Sequence, residues 1–167
     1  MKNIKLILAL LLASTVNTYA QDFEVPVDYK FNTPADYAKS EQDIIAAVDW
    51  MIATPISEST NKRRLTYAFF LVWITGSPNA TVVISNDVIP FSDVSDYLIV
   101  FMGGWTKHAL ESKDEITELQ GNIAGINAVI TFYEKNKEVL GKNKHVEKYI
   151  KLKKKGKMEA TVESRMA

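Results

Sequence analysis

A regular seam of apolar residues between positions 116 and 133 constrains the fold of this chain most. Its members recur at alternating spacings of three and four residues: Ile116, Leu119, Ile123, Ile126, Ile130 and Tyr133. This period places them on one side of an α-helix, as in a helix packed against a neighbour. The same segment carries Gly121, Gly125 and Ala128, whose small size lets another helix approach closely. We therefore expect a long helix with a tightly packed partner.

Four further segments have helical periods or clear start and stop signals, at 33–54, 57–76, 92–111 and around 146–152. The run 65–74 is apolar on every side, so its period alone does not separate a buried helix from a strand. Its length and its flanking signals favour a helix, which we expect to be among the most buried. Residues 81–85 predict a short extended segment. The predicted fold is all-α, a single-domain bundle of about five helices.

The first twenty residues predict an export signal rather than a part of the folded domain. A basic start, MKNIK, precedes the apolar run LILALLLA and a small-residue segment that ends at Ala20. This order is typical of a secretory signal peptide over residues 1–20. Residues 21–167 are numerous enough to bury one core and form the single predicted domain. We therefore expect an exported protein, either periplasmic or secreted.

Charge and cysteine content exclude several classes of function. The 20 basic and 20 acidic residues balance, so the chain has no global attraction for nucleic acid. The absence of cysteine excludes thiol nucleophiles and thiolate metal sites. The chain has two histidines and no nucleotide-binding or hydrolase motif. We expect no metal, no cofactor, no nucleic-acid partner and, beyond residue 20, no membrane span.

Glu41, Lys107 and His108 are the catalytic candidates. Glu41 falls on the apolar stripe of the first predicted helix, where a buried carboxylate needs a partner or a changed pKa. Arg63 and Arg64 are its other possible partners and are also ligand-binding candidates. A cleft holding such groups would fit a small carboxylate-dependent hydrolase or lyase. The alternatives are a solvated helix edge or a structural ion pair.

Gly103 and Gly104 interrupt a helical pattern immediately before Trp105. Two glycines inside a helix cost about 1–2 kcal/mol relative to alanine. They therefore indicate close approach of another element, a kink or a ligand. We expect close packing, with the pair docked on the face of Gly121 and Gly125. Among the three tryptophans, Trp105 is the best candidate for a ligand contact.

Positive charge is concentrated near the end of the chain. Residues 142–157 contain eight lysines and one glutamate, whereas residues 21–60 contain eight acids and two lysines. The two ends either face each other, lie solvated, or present a basic surface to a partner. A protein or anionic partner at this lysine-rich helix would fit a component of envelope assembly.

Two short motifs carry a resemblance to a known group. The segments FMGGWTK at 101–107 and GNIAG at 121–125, with Asp28-Tyr29, Thr33-Pro34 and the turn at 76–79, are similar to small exported helical proteins of Bacteroidota-type Gram-negative bacteria. The resemblance covers most of residues 21–167 and implies export and a helical fold. It implies no activity and no catalytic residues.

The preferred interpretation is a non-catalytic exported binding or interaction protein. It follows from the scarcity of histidine, the lack of cysteine and the lack of a catalytic motif. The hydrolase or lyase and the envelope-assembly component are the alternatives, and whether the chain is an enzyme stays open.

Overall fold

The computed structural model of the protein describes residues 23–167, so the predicted signal peptide at 1–20 lies outside the described residues. Within this range the fold is all-α and has no β-strand. Its seven helices are α1 (Pro34–Lys39), α2 (Glu41–Ala53), α3 (Thr60–Gly76), α4 (Ser95–Glu111), α5 (Glu118–Leu140), α6 (Lys144–Lys154) and α7 (Met158–Met166).

The expected count of about five helices is too low for two reasons. The first predicted helix is divided at Ser40, whose backbone leaves the helical region and whose hydroxyl donates to the Asp36 carbonyl at 3.1 Å. This bond ends α1 by satisfying one of its last carbonyls. The second reason is α7, which lies beyond the last helix that the sequence predicts.

The expected extended segment at 81–85 forms no strand. It is part of the connection between α3 and α4, and the side chains of Val83 and Ile84 are exposed. A strand requires a neighbouring strand to receive its backbone hydrogen bonds, and the described chain offers none here. The apolar run 65–74, by contrast, lies inside α3, which confirms the preference for a helix.

Helices α4 and α5 make the most extensive contact between helices of the described chain. At its centre, a Cβ atom added to Gly104 would collide with the Cβ of Ala128 and lie 3.0 Å from the Ala124 carbonyl oxygen. A Cβ added to Gly125 would lie 2.5 Å from Cδ2 of Phe101. The two backbones can approach this closely only because these positions lack side chains.

The two adjacent glycines of α4 face different neighbours. Gly104 faces α5, whereas a Cβ on Gly103 would lie 3.2 Å from a methyl group of Val48 in α2. Helix α4 therefore lies between two apolar clusters. One cluster joins α4 to α5, α6 and α7, and the other joins α2 to α3 and the extended start of the described chain.

Helix α3 is less buried than its composition predicts. It buries Phe69, Phe70 and Trp73 completely, but Leu65 and Val72 remain 41% and 51% exposed. These two residues are seven apart and so lie on the same side of the helix. The expectation that α3 is among the most buried helices is therefore wrong for the side that carries Leu65 and Val72. Only the opposite side of α3 packs against other parts of the described chain.

The last two helices pack back onto α5 through buried apolar side chains, among them Val146 and Val162. The hydroxyl of Tyr149 in α6 donates to the Val88 carbonyl and accepts a bond of 2.8 Å from Arg165 in α7. Both helices are thus tied to the connection between α3 and α4.

Replacing Gly104 with alanine is expected to destabilise the fold, because the added methyl group meets Ala128 and the Ala124 carbonyl. Overpacking costs about 1–3 kcal/mol, which exceeds the helix-propensity gain of about 1 kcal/mol for alanine over glycine. Urea unfolding measures the difference in free energy of unfolding. In a double-mutant cycle, Gly104→Ala should cost less in an Ala128→Gly background. An equal cost in both backgrounds would contradict contact between these positions.

Candidate binding site

The three catalytic candidates do not meet in the folded chain. The carboxylate of Glu41 accepts a hydrogen bond from the side-chain amide of Asn79 at 2.6 Å. Lys107 forms an ion pair with Asp49 of α2. His108 lies beside a cavity between α4, α5 and α7. The structure therefore gives each of the three a separate neighbourhood.

Arg63, a ligand-binding candidate, is turned into the protein and is only 4% exposed. Its guanidinium donates to the carbonyl oxygens of Met51 at 3.2 Å and Thr54 at 2.5 Å. These carbonyls belong to the last turn of α2 and its cap, where helices leave acceptors unpaired and favour positive charge. The guanidinium carbon of Arg63, Cζ, lies 5.3 Å from the centre of the Trp50 ring and 5.6 Å from the centre of the Phe132 ring. Arg63 therefore caps the C-terminal end of α2 with hydrogen bonds from its position in α3.

Tyr67 connects this arginine to a carboxylate. The Arg63 guanidinium donates to the Tyr67 hydroxyl at 3.2 Å, and that hydroxyl donates to Asp96 at 2.8 Å. Burial raises the pKa of Tyr67, and the nearby Asp96 charge raises it further. The phenol thus stays protonated and keeps its donor. The chain of bonds links α3 to the first turn of α4.

Arg64, by contrast, lies on the surface. Its side chain is exposed and donates to the side-chain oxygen of Asn61, one turn earlier, at 3.0 Å. Neither arginine lines the cleft that contains Trp105. The three ligand-binding candidates, Trp105, Arg63 and Arg64, therefore occupy three different environments.

Trp105 lies at a cleft of about 350 Å³ between the α3–α4 connection and the α4–α5 connection. The cleft is lined by residues from three parts of the chain: Pro78, Asn79, Ala80, Thr81 and Val83, then Trp105 and Ala109, then Asp114, Glu115, Ile116 and Glu118. Its volume is at the lower end of the range for small-ligand pockets. Ile116, the first residue of the apolar seam, precedes α5 and forms part of this lining.

All charged residues that line this cleft are acidic. They are Asp114, Glu115 and Glu118, and no lysine, arginine or histidine lines it. The hydrogen bond from Asn79 brings a fourth carboxylate, that of Glu41, beside the lining. Glu118 occupies the first turn of α5, where the positive end of the helix favours a negative charge. A concave surface lined by carboxylates attracts cations.

The indole of Trp105 rests on α5 at a position that only glycine permits. A Cβ atom on Gly121 would lie 2.5 Å from Cδ2 of the indole, and the Phe101 ring meets the indole edge-on at 5.9 Å. The residue is 3% exposed, and no group in residues 23–167 accepts a hydrogen bond from its Nε1. This nitrogen is not among the buried unpaired atoms of the described residues, so the indole N–H reaches solvent.

Sequence reasoning selected Trp105 and Gly121 separately and missed the acids. The run DEITE at 114–118 contains all three lining acids, at the junction of two predicted helices, and no candidate site in the sequence includes them. Polar groups in a connection held by rigid helices are well placed to bind ligands. The position of these acids between two helices was therefore the sequence feature that could have indicated a binding site.

Comparison with known proteins finds no similar protein. No family model matches the chain, and neither a curated protein nor a solved structure is significantly similar to it. Within residues 23–167, no helix has the length and apolar character to cross a membrane. The same range holds no cluster of three or more histidine or acidic side chains arranged to bind a metal ion.

Replacing Arg63 with lysine is expected to lower the free energy of unfolding by about 2–3 kcal/mol. The lysine ammonium cannot reproduce the fork that reaches two carbonyls, and hydrogen bonds of charged groups contribute about 1.5–3 kcal/mol. Arg64→Lys is the matched control and should change stability by less than about 0.5 kcal/mol. Denaturant unfolding compares the two variants. Equal effects would show that Arg63 is not the cap of α2.

Proposed function

We propose that this protein is an exported, non-catalytic binding protein that holds a basic segment of a partner protein in the cleft beside Trp105. One observation carries the proposal. Three acidic residues and no basic residue line the cleft beside Trp105, whose indole N–H has no acceptor in residues 23–167 and is not among the buried unpaired atoms. Polar groups that converge on an accessible cleft are available to a ligand.

The combination of groups favours a peptide over a simple cation. The carboxylates of Asp114, Glu115 and Glu118 accept hydrogen bonds and attract positive charge, as a lysine or arginine side chain requires. The Trp105 indole requires an acceptor instead, which a peptide carbonyl supplies. A volume of about 350 Å³ accommodates one or two side chains of an extended segment.

Export is the second part of the proposal. The basic start and the apolar run within residues 1–20 support it, as does the resemblance to small exported helical proteins. The partner is then expected in the periplasm or outside the cell.

The hydrolase or lyase alternative receives no support from the constellation that motivated it. It requires Glu41 and either Lys107 or His108 at one reacting centre. Instead Glu41 bonds to Asn79, and Lys107 pairs with Asp49. We therefore assign the cleft to binding rather than to catalysis.

Neutralising the cleft is expected to weaken binding of a short lysine-containing peptide. Each exposed charge pair contributes up to about 1 kcal/mol, so the triple variant Asp114→Asn/Glu115→Gln/Glu118→Gln should bind about tenfold to a hundredfold more weakly. Fluorescence anisotropy of the labelled peptide measures the dissociation constant. In the unaltered protein, the peptide should shift the NMR signal of the Trp105 indole N–H.

The control removes the same charge elsewhere. Glu134, Glu138 and Glu163 are exposed and do not line the cleft. Their replacement by glutamine should leave peptide affinity nearly unchanged at physiological salt, where distant charges are screened. Equal weakening by both triple variants, or an unchanged indole signal, would refute the proposed site.

A second candidate function rests on the surface of α6. Lys144, Lys148, Lys151 and Lys155 are exposed and follow one another at helical spacing, opposite the buried Val146 and Tyr149. The acid of α6, Glu147, is engaged with Lys137 and the Tyr133 hydroxyl. The row of lysines therefore lacks a compensating charge on its own helix. It would suit a component of envelope assembly held by an anionic membrane surface.

For this candidate, Lys148→Gln/Lys151→Gln/Lys155→Gln is expected to reduce binding to vesicles that contain anionic lipid. Each lysine near such a surface contributes about 1 kcal/mol. Vesicle co-sedimentation at low and high salt measures the loss. The control Lys30→Gln/Lys39→Gln/Lys113→Gln removes as much charge from other exposed positions. No binding by the unaltered protein, or equal loss in both variants, would reject a lipid-facing α6.

A further inference from the structure

The turn between α6 and α7 concentrates positive charge on the surface. Five of the seven residues at 151–157 are lysines, and all five are exposed. None of them forms an ion pair with an acidic side chain in residues 23–167. The turn therefore presents uncompensated positive charge to solvent.

The backbone of this turn is fixed and leaves two acceptors free. Gly156 has a φ of +64°, in the left-handed region that favours glycine. Its N–H donates to the Lys153 carbonyl at 3.0 Å, and the Lys157 N–H donates to the Leu152 carbonyl at 2.9 Å. This pair of bonds is a Schellman motif, which ends α6 in a defined geometry. The carbonyl oxygens of Lys155 and Gly156 accept no hydrogen bond from residues 23–167.

Lysines beside unpaired carbonyls match both kinds of group in the acidic cleft. The cleft acids Asp114, Glu115 and Glu118 are exposed and form no ion pair within residues 23–167. Carboxylates accept charge-assisted hydrogen bonds from lysine ammonium groups. The indole N–H of Trp105, which is 3% exposed and lines the same cleft, has no acceptor in this range and requires one. A segment that satisfies the cleft must therefore supply cations and acceptors together.

The turn and the cleft lie on different sides of α5. Glu159, three residues beyond Gly156, lines the cavity between α4, α5 and α7 together with Asn127. Asn127 follows Glu118 by about two and a half turns of helix, which places these two residues on opposite sides of α5. No residue of the turn lines the cleft. The two surfaces therefore complement each other in chemistry but do not meet within one molecule.

We propose that the acidic cleft of one molecule binds the α6–α7 turn of a second copy of this protein. This inference rests on the function proposed for the cleft and names its partner. Lysines of the turn pair with the cleft acids, and the carbonyl of Lys155 or Gly156 accepts from the Trp105 indole N–H. The acidic and basic residues of the chain balance, so two copies have little overall repulsion.

The contact is head to tail, because it joins two different surfaces. Each pair of molecules keeps one free cleft and one free turn, so further copies add to form a ring or an open chain. A turn in a cleft of about 350 Å³ buries little surface. We therefore expect weak, rapidly exchanging association that increases with protein concentration and decreases with salt.

Two variants isolate a single contact, because each keeps only one of the two surfaces. The cleft variant is Asp114→Asn/Glu115→Gln/Glu118→Gln. The turn variant is Lys153→Gln/Lys154→Gln/Lys157→Gln. All six positions are exposed, and the ¹⁵N–¹H NMR spectrum of each variant verifies its fold. Each variant alone should self-associate at least about tenfold more weakly than the unaltered protein at low salt.

Mixing the two variants restores one intact cleft and one intact turn. When the turn variant carries the ¹⁵N label, the unlabelled cleft variant should shift its Trp105 indole signal and its backbone signals at 114–118. Unlabelled turn variant should not. With the labels exchanged, the shifts should appear at 153–157 of the cleft variant. Equal shifts with either unlabelled partner, or no shift with the complementary one, would overturn the proposal.

A matched control removes the same charge from the start of α6. The control variant is Lys142→Gln/Lys144→Gln/Lys148→Gln, whose positions are exposed and precede the turn. Sedimentation velocity at low salt should show this control self-associating like the unaltered protein. An equal loss in the control and the turn variant would show a general charge effect and reject the turn as the bound segment.

The labelled lysine-containing peptide separates this inference from the function proposed for the cleft. If the peptide shifts the Trp105 indole signal and the complementary variant does not, the cleft binds basic segments but not a second copy. If neither shifts that signal, the cleft is not a binding site and both proposals fail.

Discussion

The close contact between α4 and α5 is the constraint on which the rest of the structure depends. Gly104 and Gly125 bring the two backbones together, and Phe101 covers the second of these glycines. One turn further, Trp105 lies on Gly121, which positions the indole at the acidic cleft. The same pair of helices bounds the acidic cleft, so a change that separated them would disturb core packing and this candidate site together.

Sequence reasoning succeeded where the determinants are local. The period of the seam belongs to α5 itself, and the helix forms over nearly the expected range. The structure adds a capping box of Thr117 and Gln120 that the sequence analysis does not identify. The division at Ser40 and the formation of α7 depend on interactions that periodicity does not carry. In α7, Arg165 reaches the Tyr149 hydroxyl across 16 residues of sequence. Tertiary contacts of this kind override weak local preferences.

The candidate site was only half predictable for the same reason. Trp105 stood out because it follows two helical glycines, which is a local anomaly. The acids that share its cleft lie on the α4–α5 connection and the first turn of α5, and the opposite wall comes from residues 78–83. Glu41 meets Asn79 across 38 residues of sequence. No spacing rule brings such segments together, because their proximity is set by how α3, α4 and α5 pack.

Access to solvent separates the structural role of Arg63 from the role proposed for Trp105. The two terminal nitrogens of Arg63 donate to two carbonyls and a phenol, and its Nε is buried without a partner in the described chain, so a ligand would have to break these bonds to use the guanidinium. The Trp105 N–H, by contrast, has no acceptor in the described chain and is not among its buried unpaired atoms. A ligand can accept from this group without displacing a bond within the protein, which is why we propose binding at Trp105 and a structural role for Arg63.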